Sequence, residues 1–126
     1  MSAIAHRIHW FEIATTDLTR AMTFYSTVLE TDFHVENFGG GTMAVFNRSQ
    51  PEAVSGCLVQ SEHMKPSANG TVVYFNAGDD LAHALGRVEA NGGKVIVPKT
   101  LITPEIGYFA VFADTEGNTV GLHSLR

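Results

Sequence analysis

The sequence predicts an α+β fold made of two sequential βαβββ modules. Three observations lead there: a long internal repeat, strand-like and helix-like patterns in the same order inside each copy, and polar or glycine-rich turns at matching places. Trp10 to Met22 aligns without gaps on Val73 to Leu85, and each run reads as an apolar strand, an Asp-Leu pair and a helix. Gly41 to Phe46 then matches Gly107 to Phe112, and Gly56-Cys57-Leu58 falls against Gly121-Leu122-His123. The nearly constant spacing marks a duplicated unit of about half the chain, and two copies are too few for a solenoid.

In the first copy His9 to Thr15 is rich in aromatic and β-branched residues, which predicts a strand. Thr16 or Asp17 offers a side-chain oxygen to cap the next helix. Leu18, Ala21, Met22, Tyr25, Val28 and Leu29 recur at three- and four-residue steps, giving one buried stripe. Strands are expected over Asp32–Phe38, Thr42–Asn47 and Val54–Ser61, with Gly39-Gly40-Gly41 as a turn. Glu62 to Gly70, containing Pro66, reads as the linker. In the second copy Leu81, Ala84, Leu85 and Val88 repeat the stripe, and Gly92-Gly93 ends the helix because glycine tolerates a left-handed cap. Strands are expected over Lys94–Val97, Tyr108–Ala113 and Thr119–Ser124, the last two joined by the turn Asp114 to Asn118. The organisation expected is one domain over residues 1–126, with module one at about 5–62 and module two at about 70–126.

Composition narrows the function classes. The 126 residues are 44% hydrophobic and 17% charged. No apolar run reaches the ~18 residues of a membrane span. The opening Met1 to Arg7 is too short and polar for a signal peptide, so a cytoplasmic location is expected. A net charge of −5 without a Lys/Arg cluster argues against nucleic acid as a partner. Such a balance favours cationic ligands and also serves solubility. Cys57 is the only cysteine, which excludes an intrachain disulfide and a four-cysteine zinc site. Its apolar neighbours predict a buried, inert thiol.

The strand followed by Asp17-Leu18-Thr19-Arg20-Ala21 and then Phe24-Tyr25 resembles the opening of a vicinal oxygen chelate module, the family of glyoxalases, bleomycin-resistance proteins and extradiol dioxygenases. Phe112 to Asn118 is similar to that family's penultimate turn, and the resemblance covers nearly the whole chain. It implies cupped sheets that form an incomplete barrel around a cavity, and chains paired as a homodimer. It also implies metal ligands from the first and last strands of each module. Those positions fall on Trp10, Val73, Gly56 and Gly121, which offer no imidazole or side-chain oxygen. The expectation is therefore no cofactor and no metal in the family's usual site, with a noncanonical divalent metal left open. A shift of two residues keeps the same strand face and brings in Glu12 and His123, with Phe75 and Leu58 as counterparts.

Strand alternation puts Trp10 and Glu12 on one face of the first strand and Phe11 and Ile13 under the helix. By the same reasoning Val73, Phe75, Gly121 and His123 point into the cup. The candidate ligand-binding residues are Trp10, Phe75, Leu58 and Tyr108, with Met43 equivalent to Tyr108. Core packing would explain Tyr108 and Met43 equally well. Glu12 and His123 are the candidate catalytic residues. A carboxylate desolvated beside an indole becomes a better proton-transfer group, although a strand glutamate also serves facing solvent. His123 has a structural reading too, and His6, His9, His34, His63 and His83 are assigned to the surface. Three functions stay open: a metal-independent binder of a small organic molecule, an enzyme of the lyase, isomerase or dioxygenase kind using Glu12, alone or with His123, for acid/base chemistry or a noncanonical metal, and an interaction module whose cup is filled by its own side chains.

Overall fold

The computed structural model describes residues 6–126. The segment read above for a targeting signal, up to Ala5, and the start of module one at about residue 5 lie outside the described residues. The first module consists of β1 (Trp10–Ala14), α1 (Leu18–Val28), β2 (Phe33–Phe38), β3 (Gly41–Phe46) and β4 (Ser55–Ser61). The second consists of β5 (Tyr74–Asn76), α2 (Ala82–Leu85), a 3-10 turn over Glu89–Asn91, β6 (Lys94–Thr103), β7 (Gly107–Ala113) and β8 (Thr119–Ser124). Each module forms a four-stranded mixed sheet, in the orders β1-β4-β3-β2 and β5-β8-β7-β6. In each, the first strand runs parallel to the last and the other pairs are antiparallel. This is the α+β, twice-βαβββ architecture the sequence predicts. Among the described residues no helix is long and apolar enough to cross a membrane.

α1 starts where its cap is. The Asp17 carboxylate accepts the Arg20 N–H at 3.0 Å, and the Leu18 N–H donates to Gln60 Oε1 at 2.8 Å. Its stripe buries Leu18, Ala21, Phe24, Tyr25 and Val28. α2 is shorter than its stripe suggests. Gly86 follows its last turn, and glycine is among the poorest helix formers. Gly92, at φ 100°, supplies the left-handed stop. β6 runs past the expected Val97 to Thr103. It is an edge strand with three register shifts, so Pro98 is tolerated where an inner strand would reject it.

The two sheets turn their helix-side faces toward one shared core. The Phe11 ring lies 5.5 Å from both Phe46 and Phe75, and Phe24 lies 5.8 Å from Phe112. Module two also holds both ends of α1. At the N-terminus Glu116 accepts the Thr16 and Asp17 N–H groups, each at 2.8 Å, and pairs with Arg20 Nε at 2.7 Å. At the C-terminus Arg87 Nε and Nη2 donate to the Val28 carbonyl at 3.1 and 2.9 Å. An anion at the start and a cation at the end both complement the helix dipole. Next to Glu116, Tyr25 donates to Asp114 at 2.7 Å and Asn118 Nδ2 donates to the Ala14 carbonyl at 2.8 Å. Burial, with Asp114 adding, pushes the Tyr25 hydroxyl well above its ordinary range.

Two expectations about register need correction: Cys57, not Gly56, is the counterpart of Gly121, because Leu58 and Leu122 are the residues opposite Ala44 and Ala110, and the first strand of module two is shifted as well. The Thr15 N–H donates to the Val59 carbonyl and the Ala77 N–H to the His123 carbonyl, both at 2.8 Å, so Thr15 and Ala77 are equivalent. Thr15 lies three residues before Leu18, but Ala77 lies four before Leu81. The turn after β5 therefore holds one extra residue and contains Gly78 at φ 77°. Val73 thus corresponds to Phe11 and not to Trp10, and every side chain of β5 lies on the opposite face from that expected. Ala44 and Ala110 do correspond, each beside a core leucine, Leu58 and Leu122 respectively.

Candidate functional site: the outward cups

With the core between the sheets, the remaining face of each sheet points away from it. On module one this outer face carries Trp10 and Glu12 from β1, with Cys57 and Val59 beside them on β4. Cys57 and Val59 are buried and close the floor. Burial pushes the Cys57 thiol up to about 11, with the Glu12 carboxylate adding to the effect, so the thiol is a poor nucleophile at neutral pH. Trp10 is 43% exposed. Glu12 is exposed as well, so the desolvation expected of it is missing within one chain. It edges a hollow of about 210 Å³ whose far wall includes Asn118 and Thr119.

Module two is more open. Its outer face carries Tyr74 beside Gly121, and Asn76 and Phe109 on either side of His123. Tyr74, Ile102, Phe109 and His123 line a hollow of about 370 Å³. The Tyr74 ring lies over Gly121, where a Cβ would strike it. Tyr74 and Phe109 stand 6.4 Å apart at 65°. His123 Nε2 is 2.6 Å from the Ile106 carbonyl. A carbonyl only accepts, so Nε2 carries the proton, and Nδ1 holds a lone pair when the ring is neutral. Among the described residues Nδ1 has no partner. A second hollow of about 610 Å³ shares Tyr74 and His123 and extends to Asn76 and Asp79.

Of the residues singled out from sequence, Trp10, Glu12 and His123 lie on outer faces. Glu12 and His123 belong to different sheets and line different hollows, so one chain does not bring them together. Three orientations are corrected. Phe75 packs in the core against Phe11, Phe46 and Tyr25, a consequence of the extra residue after β5. Leu58 is fully buried in that core beside Ile13. Tyr108 packs at the core margin with Lys99 Nζ 4.6 Å from its ring centre, and the neighbouring Phe109 faces the cup instead. Sequence reasoning missed Tyr74, Ile102 and Phe109. The legible signal was a large aromatic opposite Gly121, hidden by the one-residue slip.

The family's divalent metal can be tested against these faces. Gly56 is not an outer-face residue: a Cβ there would meet the Phe11 carbonyl oxygen and ring on the core side. The paired outer positions are instead Glu12 with Cys57 and Tyr74 with Gly121. Among the described residues no three His, Cys, Asp or Glu side chains converge. A divalent ion held through purification generally needs about three protein ligands, so the donors of one chain do not fit it.

Two βαβββ modules packed through a common core, with cupped faces turned outward and an apolar hollow in one, define a cupped-sheet protein that presents concave surfaces. Sequence agrees: the family model of the Glyoxalase/Bleomycin resistance protein/Dioxygenase superfamily matches residues 7–122, and the chain belongs to that family. It is similar to a glyoxylase-like domain-containing protein of Didymella fabae, 30% identical over 118 residues that cover 90% of this chain and 89% of the relative. Among solved structures it resembles a glyoxalase I mutant from Zea mays with a TM-score of 0.72 at 17% identity, covering 93% of this chain and 45% of that one. The chain thus spans less than half the length of the maize protein. It also resembles TnmS3, an antibiotic binding protein from a Streptomyces species, with a TM-score of 0.66 at 21% identity and 98% of each chain covered. A FosX fosfomycin resistance protein mutant from Listeria monocytogenes, complexed with Mn(II) and a dihydroxypropylphosphonic acid, gives a TM-score of 0.70 at 14% identity, covering 96% of this chain and 92% of that one. At these identities the structures show a shared fold.

Proposed function

We propose that the chain binds a small, largely apolar organic molecule in the outer cup of module two, without a resident metal and without chemistry on the ligand. The observation that carries this reading is the hollow walled by Tyr74, Ile102 and Phe109 with His123 as its polar group. Its volume of about 370 Å³ falls in the range of small-molecule sites, which pair an apolar lining with few polar groups. The enzyme reading rests on Glu12, alone or with His123, and within one chain Glu12 is exposed and His123 lies in a different hollow. A homodimer belongs to the same proposal. Trp10, Tyr74 and Ile102 are each more than 40% exposed on or beside the cups, and a second chain laid over them would close the hollow and cover apolar surface.

The test is calorimetric titration with an uncharged aromatic probe, naphthalenemethanol. Saturable binding is expected, weakened about tenfold by Tyr74→Ala and by Phe109→Ala, since each ring contributes contact area. The Trp10→Ala variant, altered in the other module, keeps the affinity if each chain's cup acts alone. Absence of saturable binding, or binding indifferent to Tyr74 and Phe109, overturns the reading.

A further inference from the structure

We infer that the module-two cup selects an aromatic cation, with an amine directed toward Asp79; this rests on the binding reading above and names the ligand class for the same site. The two hollows of module two share Tyr74 and His123 and so form one trough. Its apolar end is walled by Tyr74, Phe109 and Ile102, which suits a flat ring system. Its polar end reaches Asn76 and Asp79.

Two polar groups along this trough, His123 and Asp79, favour donors on the ligand, and Asn76 is uncharged. His123 Nε2 is committed to the Ile106 carbonyl, so Nδ1 is the ring atom left to face a ligand, and it accepts when the imidazole is neutral. Asn76 Oδ1 already accepts the Gly78 N–H at 3.0 Å. The Asp79 carboxylate makes no ion pair among the described residues, while the neighbouring Asp80 takes Lys99 at 2.8 Å. No Lys or Arg lines either hollow. A ligand bearing an ammonium group is thus met by a free carboxylate, an acceptor nitrogen and the π face of Tyr74. A carboxylate-bearing ligand of the same size would face Asp79 with no cation to offset the repulsion. The chain's net charge of −5 acts in the same direction on approach.

Three probes sharing one ring system test this by titration at pH 7 and low salt: naphthylmethylamine, naphthalenemethanol and naphthoic acid. The amine is expected to bind about three- to fivefold tighter than the alcohol, and the acid about three- to fivefold weaker than the alcohol, each step the size of one exposed charge contact. Asp79→Asn, in an exposed turn, brings the amine down to the alcohol's affinity. Raising the salt narrows the spread for the unaltered protein. If the alcohol binds but amine and acid bind equally, or if the amine keeps its advantage in Asp79→Asn, the charge selection is refuted and the binding site stands. If no probe binds, both fall.

Discussion

Replacing Glu116 by Gln isolates one of the polar contacts that join the two modules. The Glu116 carboxylate has no solvent-accessible side-chain surface. Burial works against its charge. The Arg20 side chain, the Asp17 and Thr16 N–H groups and the Thr115 hydroxyl outweigh that, and hold the carboxyl down at about 2 instead of 4.5. Such a lowering corresponds to about 3 kcal/mol at neutral pH. The Arg20 side chain is 50% exposed, so screening by solvent reduces the expected figure to about 1–2 kcal/mol. The amide keeps one acceptor oxygen for the helix N–H groups but turns an NH₂ toward Arg20 and Thr115, which are donors too.

The sign follows from proton uptake. With its folded pKa depressed, Glu116 stabilises the native state above about pH 4.5, and that contribution is lost as pH falls from about 4.5 to 2. Glu116→Gln is therefore expected to be less stable by about 1–2 kcal/mol at pH 7, with a flatter dependence between pH 5 and about 2, where the two proteins converge. Urea denaturation followed by far-ultraviolet dichroism across that range is the assay. Equal stability at pH 7 refutes the clamp. A gap of constant size down to about pH 2 refutes the ionic part of it, because a pH-independent loss is amide misfit alone.

Three further outcomes are expected. Gly56→Ala should cost about 1–3 kcal/mol in denaturant titrations, because a methyl there meets the Phe11 carbonyl and ring; Gly121→Ala should keep most of the stability and instead lose naphthalenemethanol affinity, because its methyl displaces the Tyr74 ring. Light scattering at tens of micromolar chain is expected to give twice the chain mass, and a monomer mass counts against the paired cups.

Much of the fold was legible because each element signals locally. The α1 stripe, the Asp17 cap and the Gly92 stop all depend on near neighbours, and β8 spans the expected Thr119–Ser124. The site was less legible because it depends on register. A gapless alignment anchored on the two Asp-Leu pairs ignores the extra residue beside Gly78, and one residue is enough to exchange the faces of a strand. That slip sent Phe75 to the cup and hid Tyr74. Contacts between modules were invisible for another reason. Glu116 meets Thr16 and Asp17 about a hundred residues away, and nothing in a single sequence pairs a turn with a distant helix end.

The two halves of the duplication use equivalent positions differently. Cys57 and Gly121 occupy the same place, one residue before the core leucines Leu58 and Leu122 that flank Ala44 and Ala110. In module one Cys57 and the adjacent Val59 fill the floor of the sheet. In module two a glycine leaves that floor free for the Tyr74 ring, and His123 replaces the valine with a group that hydrogen-bonds. Module two also supplies the charges at both ends of α1, through Glu116 and Arg87. Those charges come from the turn between β7 and β8 and from the segment after α2, whereas the trough lies on the outer face of the sheet. Because strand residues alternate between faces, changes at Gly121 or His123 can alter the cup without touching the neighbours Val120 and Leu122 that hold the core. Separation of this kind lets one module both fix its partner and carry an outward face free to change.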